Sequence, residues 1–156
     1  MKKFGNILVL VAILAACKPE IKPIGPSYAA GEGIVGSWEL VEISAIDISL
    51  PVPETRDQSR ILNDEANRML FTINDDGTYT IDQQGVVPDI YGTNGDWMFD
   101  KSDFPTMVYF VPDGGDTLTT ALLNMPRKID NTVGLSFTRN RCDKDYVTLQ
   151  YTFNRK

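Results

Sequence analysis

Paired acids and two thiols are the side chains here whose types and spacing could do chemistry. Asp96 with Asp100, and Asp143 with Asp145, are carboxylates spaced along strand-like runs. Such a pair hydrolyses a glycoside only if both converge in a cleft with unequal pKa values, about 5 Å apart in a retaining enzyme. Carboxylates on one face of a strand are ordinarily solvated, so these pairs are not expected to react. Cys142 lies between Arg139, Arg141 and Lys144, whose charge could depress a thiol pKa. The alternative is an incidental thiol in a loop or at a barrel end. No histidine occurs anywhere in the chain, which removes His-based general acid/base catalysis, the Ser-His-Asp triad and histidine metal ligation together. The acids of Asn74-Asp75-Asp76-Gly77 lack the alternating oxygen ligands and closing glutamate of an EF-hand, and read as a turn. The expectation is no enzyme, no cofactor and no metal.

The elements that would position these side chains are bounded by composition. With 156 residues and 42% hydrophobic content the chain can build one domain with a real core, and not two comfortable ones. Fifteen basic residues face 21 acidic ones, a net charge of -6, and a balance of that sign repels nucleic acid and anionic lipid.

Met1-Lys2-Lys3 is a short positive region, and the apolar run that follows it to Ala16 is too short to span a bilayer as a helix. Residues 1–16 therefore read as a signal peptide. The run ends Leu14-Ala15-Ala16-Cys17, which resembles the lipobox of bacterial lipoproteins. That resemblance implies that Cys17 carries fatty acyl chains such as palmitate and becomes the new N-terminus; two or three chains anchor stably where one would not. With Cys17 so used, Cys142 has no partner for an intramolecular disulfide. Residues 17–33 contain prolines, glycines and mixed charge without apolar periodicity, and are expected to form a lipidated, unfolded tether. Lys18 is not the aspartate that in Gram-negative lipoproteins goes with inner-membrane retention, so the resemblance favours the outer membrane, facing the periplasm or the surface.

Residues 34–156 are expected to form a β domain. The first strand, IVGSWELVEIS at 34–44, carries Trp38 and Leu40 on one face and Val35, Val41 and Ile43 less regularly on the other, a mixed pattern that suggests a bend. Pro51, Pro53 and a polar run then break the β pattern. Ile61, Leu62, Ala66 and Met69 are spaced for one short amphipathic helix. Residues 69–73 and 78–81 flank Asn74 to Gly77 as a tight hairpin. Trp97 and Phe99 share a face of the next strand, and residues 106–111 and 117–123 flank a second turn, Pro112-Asp113-Gly114-Gly115-Asp116. Val133, Leu135 and Phe137 alternate with small and polar residues, as do Val147, Leu149, Tyr151 and Phe153. A charged loop at 139–145 is expected between these last two strands. The count reaches eight, and sequential strands on short links favour an up-and-down antiparallel barrel, closed or half-open, with at most one short helix.

Gly36-Ser37-Trp38, the Phe-Thr-Ile-Asn-Asp-Asp-Gly-Thr-Tyr-Thr hairpin at 71–80 and Gly95-Asp96-Trp97, in that order after a lipobox and a proline-rich tether, resemble small bacterial lipoproteins with a lipocalin-like domain. The resemblance covers about residues 34–156 and implies an eight-stranded barrel or half-open barrel, mostly without an assigned ligand. It departs from typical lipocalins in lacking a disulfide and a clear C-terminal helix.

In a closed meander the last strand lies antiparallel beside the first, so Trp38 should sit near Phe153 and Arg155. Arg155 shares the parity of Val147 to Phe153, and its guanidinium could lie over the indole to close the barrel. The resemblance implies the same pairing. The expected function is that of an envelope lipoprotein, anchored in the outer membrane, whose barrel binds a small apolar ligand. Phe71, Tyr79, Trp97, Phe99 and Tyr109 are the candidate lining, although aromatics at strand spacing also serve as plain core. The alternative is a filled barrel without ligand, a structural or interaction module meeting an envelope protein partner through Tyr28, Tyr91 and Tyr146.

Overall fold

The computed structural model describes residues 30–85, 87, 89–141 and 143–156. The expected signal peptide, the expected acylation site Cys17, Tyr28 and Cys142 lie outside the described residues. A short helix α1 (Ala30–Ile34) leads into β1 (Gly36–Asp47), β2 (Glu54–Asp57) and a 3-10 turn (Ser59–Asn63). Then follow β3 (Met69–Ile73), β4 (Thr78–Gln83), β5 (Asn94–Phe99), β6 (Met107–Pro112), β7 (Leu118–Leu122), β8 (Thr132–Arg141) and β9 (Lys144–Arg155).

Every strand pairs antiparallel with its neighbour, and β1 also pairs with β9, so β1 and β3 to β9 close an eight-stranded up-and-down barrel. The fold is all-β, as expected, with β2 as a ninth strand outside the barrel count. β2 pairs with the far half of β1, Ser44 to Asp47, beyond the stretch that β3 covers. Closure leaves no free edges along the barrel wall, and the architecture fits a lipocalin-like fold.

Alternation puts the core where the sequence pattern indicates. Met69, Phe71 and Ile73 of β3, Tyr79 and Ile81 of β4, and Leu149, Tyr151 and Phe153 of β9 are buried, while the residues between them are not. The hairpin at 74–77 turns on Gly77, whose φ of 87° suits a residue without Cβ. Asp76 fastens it by accepting from the Thr78 backbone at 2.9 Å.

The mixed faces of β1 have a definite cause. Its register against β9 skips one residue between Leu40 and Glu42, so Val41 is an extra, exposed residue in a β-bulge. The bulge flips the parity of everything after it: Trp38 and Leu40 point inward before it, and Ile43 and Ala45 after it. Ile43 is thereby moved from the outer face to the core.

Three expectations are corrected. The amphipathic helix near 61–69 is a 3-10 turn, and Met69 belongs to β3. Local polar groups compete with α-helical bonding there: Asp57 accepts from the Ser59 backbone at 2.8 Å, Asp64 from that of Ala66 at 3.0 Å, and Asn67 donates to the Ile61 carbonyl at 2.8 Å. In place of the charged loop expected at 139–145, residues 139–141 of β8 and 144–145 of β9 continue the ladder, with Arg139 opposite Val147 and Arg141 opposite Lys144. Arg139, Arg141 and Lys144 are exposed, while Val147 is half-buried against the core. The chain is also ordered before Ile34: Ala30 to Ile34 are helical, and Gly33 packs so closely on the Pro126 carbonyl that a Cβ would lie 2.3 Å from it.

Candidate functional site

The interior of the barrel is occupied by rings. Phe71 has Phe110 at 5.1 Å, Tyr79 and Tyr91 at 5.5 Å and Phe153 at 5.8 Å between centroids. Tyr91 in turn lies edge-on to Phe110 and 6.2 Å from Tyr151. Contacts of this kind stabilise by about 0.5 to 1.5 kcal/mol each beyond area burial, and they use the space that a central ligand would need.

The five residues expected to line a cavity therefore separate into three groups. Phe71 and Tyr79 are fully buried core. Trp97 and Phe99 point inward but are only half-buried at one end of the barrel, their rings 5.3 Å apart at 80°. Tyr109 is corrected to the outer wall, because its neighbours Val108 and Phe110 take the inward positions of β6. Tyr91 is corrected in the other direction: expected as a surface contact, it is fully buried and its carbonyl accepts the Tyr79 hydroxyl. The connection at 84–93 folds back into its end of the barrel through the Gln83 amide on the Val87 carbonyl and Asp89 on the Gly92 backbone. No periodicity marks Tyr91, since it stands in an irregular connection, and the apolar Ile90 beside it is the one local hint. Tyr146 is 45% exposed, on the surface.

The opposite end is closed by Arg155. Its guanidinium carbon stands 4.2 Å from the Trp38 ring centroid, within the range of a cation-π contact, and the two residues are Cα partners across the seam. The same guanidinium donates to the carbonyls of Val35 at 2.9 Å, Gly33 at 2.6 Å and Asp130 at 3.4 Å. Trp38 Nε1 donates to the Ile34 carbonyl at 2.7 Å. One cation thus ties α1, the start of β1 and the β7–β8 connection to the last strand. Beside it lies an open cleft of about 430 Å³, lined by Val35, Asp75, Trp97, Lys128 and Arg155 with Gly31 and Glu32 of α1.

The electrostatics are those of turns. Asp100 accepts from the backbones of Thr106 and Met107 and from the Thr106 hydroxyl, and these bonds hold its carboxyl below the usual range. Asp47, Asp57 and Asp76 are lowered by the hydroxyls and backbone amides of Ser49, Ser59 and Thr78, and Asp130 by Arg127. A general acid needs the opposite shift. Asp96, Asp143 and Asp145 are exposed. The raised groups are core tyrosines: burial pushes Tyr79 up to about 12, and moves Tyr91 and Tyr151 upward as well.

A family model described as a domain of unknown function, DUF5004, matches residues 22–126, more than half of the chain. The match runs through β7 and stops before the two closing strands. No curated protein and no solved structure matches the chain.

Proposed function

The chain belongs to the DUF5004 family, whose description assigns no activity, and on that premise we propose an envelope lipoprotein whose filled barrel works through its outer surface, as a structural or protein-interaction module. The observation that supports this reading is the ring set around Phe71, which occupies the barrel interior. The anchor rests on the Leu14-Ala15-Ala16-Cys17 resemblance, with acyl chains on Cys17 holding the protein to the outer membrane. The proposal contains no catalytic step, since the displaced carboxyls are turn anchors held in their charged form. Native mass spectrometry of the Cys17→Ser chain tests the filled barrel. The expected spectrum shows the protein mass alone; an apolar adduct that survives gentle desolvation and raises the melting temperature would return the ligand-binding reading.

One feature favours a second reading. The cleft beside Trp97, at about 430 Å³, falls in the size range of small-molecule sites. A small apolar ligand there would rest on Trp97 and Val35, at the barrel mouth and not at its centre. Titration of Trp97 fluorescence with fatty acids separates the readings: saturable quenching that Trp97→Phe abolishes belongs to the cleft.

A further inference from the structure

Nine large apolar side chains are exposed among the described residues, and five of them gather at one end of the barrel. The alternation of an up-and-down meander puts the β5–β6 and β7–β8 connections, the start of β1 and the end of β9 at the same end. Phe104 in the first connection is 75% exposed, and Ile129 in the second is 72% exposed. Met98 of β5, Met107 at the start of β6 and Leu123 just after β7 are exposed on the wall beside them. Exposed apolar groups scattered singly need no explanation, but five gathered at one end are of the kind that marks a protein or membrane contact. The charges around the two tips are mixed: Lys101 stands 4.0 Å from Asp100, exposed Asp103 precedes Phe104, and exposed Lys128 precedes Ile129, so the apolar tips are set in a rim of both signs that suits a zwitterionic headgroup layer.

Chain geometry selects the lipid. α1 enters the barrel at this same end, packed on Pro126 of the β7–β8 connection. Residues 18–29 separate it from Cys17, and twelve residues reach at most about 40 Å in any conformation. A Cys17 anchor therefore meets the barrel at this end with a slack tether, whereas presenting the end that bears Leu50 and Val52 would require the same segment to stretch along the whole barrel wall. The overall negative charge, with Asp75 and Asp76 in the neighbouring turn, selects a zwitterionic surface over an anionic one.

We propose that this end of the barrel rests on the membrane, with Phe104 and Ile129 entering a zwitterionic headgroup layer. The inference rests on the acylated Cys17 of the proposed function, and the experiment reads the two separately. The full chain with its native N-terminus is reconstituted as wild type, Phe104→Trp and Val52→Trp in phosphatidylcholine vesicles, with and without bromine on the acyl chains. Flotation reports the anchor, and emission reports the docked end. Interfacial side chains sit about 5 to 10 Å into the headgroup and acyl boundary, so, measured against the wild-type emission of Trp38 and Trp97, the added indole at 104 should lose emission to bromine. The one at 52, at the opposite end, should lose none. Protein that floats while position 104 is quenched no more than position 52 overturns the docking and leaves the patch to a protein partner. Protein that does not float overturns the anchor, and the docking with it.

Discussion

Arg155 spends its guanidinium on three backbone carbonyls and one indole, which makes it a joint and not a frayed terminus. Gly36 permits this: its φ is 140°, and a Cβ there would lie 2.6 Å from the Arg155 guanidinium. Trp38→Ala should destabilise by about 3 to 5 kcal/mol, the range for a large buried aromatic. Arg155→Ala should cost less, about 1.5 to 3, the range for hydrogen bonds from a charged group. Arg155→Lys keeps the charge but not the fork, and should fall nearer to Ala than to wild type; denaturant midpoints rank the three. Tyr79 offers a pH test. Its phenol is 0% exposed and pushed from 10.0 up to about 12 chiefly by burial. The folded state favours the neutral form, so this contribution is whole below pH 10 and is lost as pH rises through about 12. Tyr79→Phe should be less stable at neutral pH by about 1 kcal/mol for the lost bond to the Tyr91 carbonyl. It should also show a shallower fall of melting temperature on the alkaline side, with the remaining fall due to Tyr91 and Tyr151.

At the scale of elements, β1 pairs with β2, β3 and β9 in one sheet, and a single extra residue against β9 keeps its inner face inward along its whole length. Deleting Val41 would turn Ile43 and Ala45 outward or force the pairing with β9 to slip, and should abolish the cooperative unfolding transition. Val41→Thr, exposed in the bulge, should stay within about 0.5 kcal/mol of wild type. α1 is the other element whose role exceeds its length. Gly33 supplies a carbonyl to Arg155 and contacts Pro126. Removing residues 30–33 should therefore lower the melting temperature, by about 4 °C for each kcal/mol lost. A chain cut there that melts with the parent would show that α1 merely leans on the barrel.

Across the whole molecule, stability depends on a seam between residues more than a hundred positions apart, Trp38 and Arg155. Loop closure on that scale must precede the contacts that reward it, so refolding should take milliseconds to seconds, as for other barrels of non-local pairing. Trp38 sits at the seam and far-ultraviolet dichroism reads the strands. In the Trp97→Phe chain, where Trp38 is the sole indole, both signals should give one coincident denaturation curve; an earlier change in emission would mean that the barrel opens before its sheet melts. Membrane fractionation applies to the intact protein: Cys17→Ser should move it to the soluble fraction if the proposed anchor is acyl.

Local pattern by itself determined the strands that have one buried face. Val133 to Phe137 and Val147 to Phe153 alternate, and Asn74 to Gly77 can only turn, so period and turn chemistry are written in adjacent residues. The count of strands on short links carried the closed barrel, and parity set Arg155 on the side of the indole. Tertiary structure decided what adjacent residues do not encode. A bulge at Val41 becomes visible only against β9, because parity is defined by the partner strand. Tyr91 enters the core because the rings from β3, β6 and β9 leave it a place, although nothing in its own segment repeats. Tyr109 faces outward because two apolar faces of β6 competed and the interior admitted Val108 and Phe110. Whether the barrel is hollow or filled was likewise a question of volume, and volume belongs to the assembled sheet and not to any one strand.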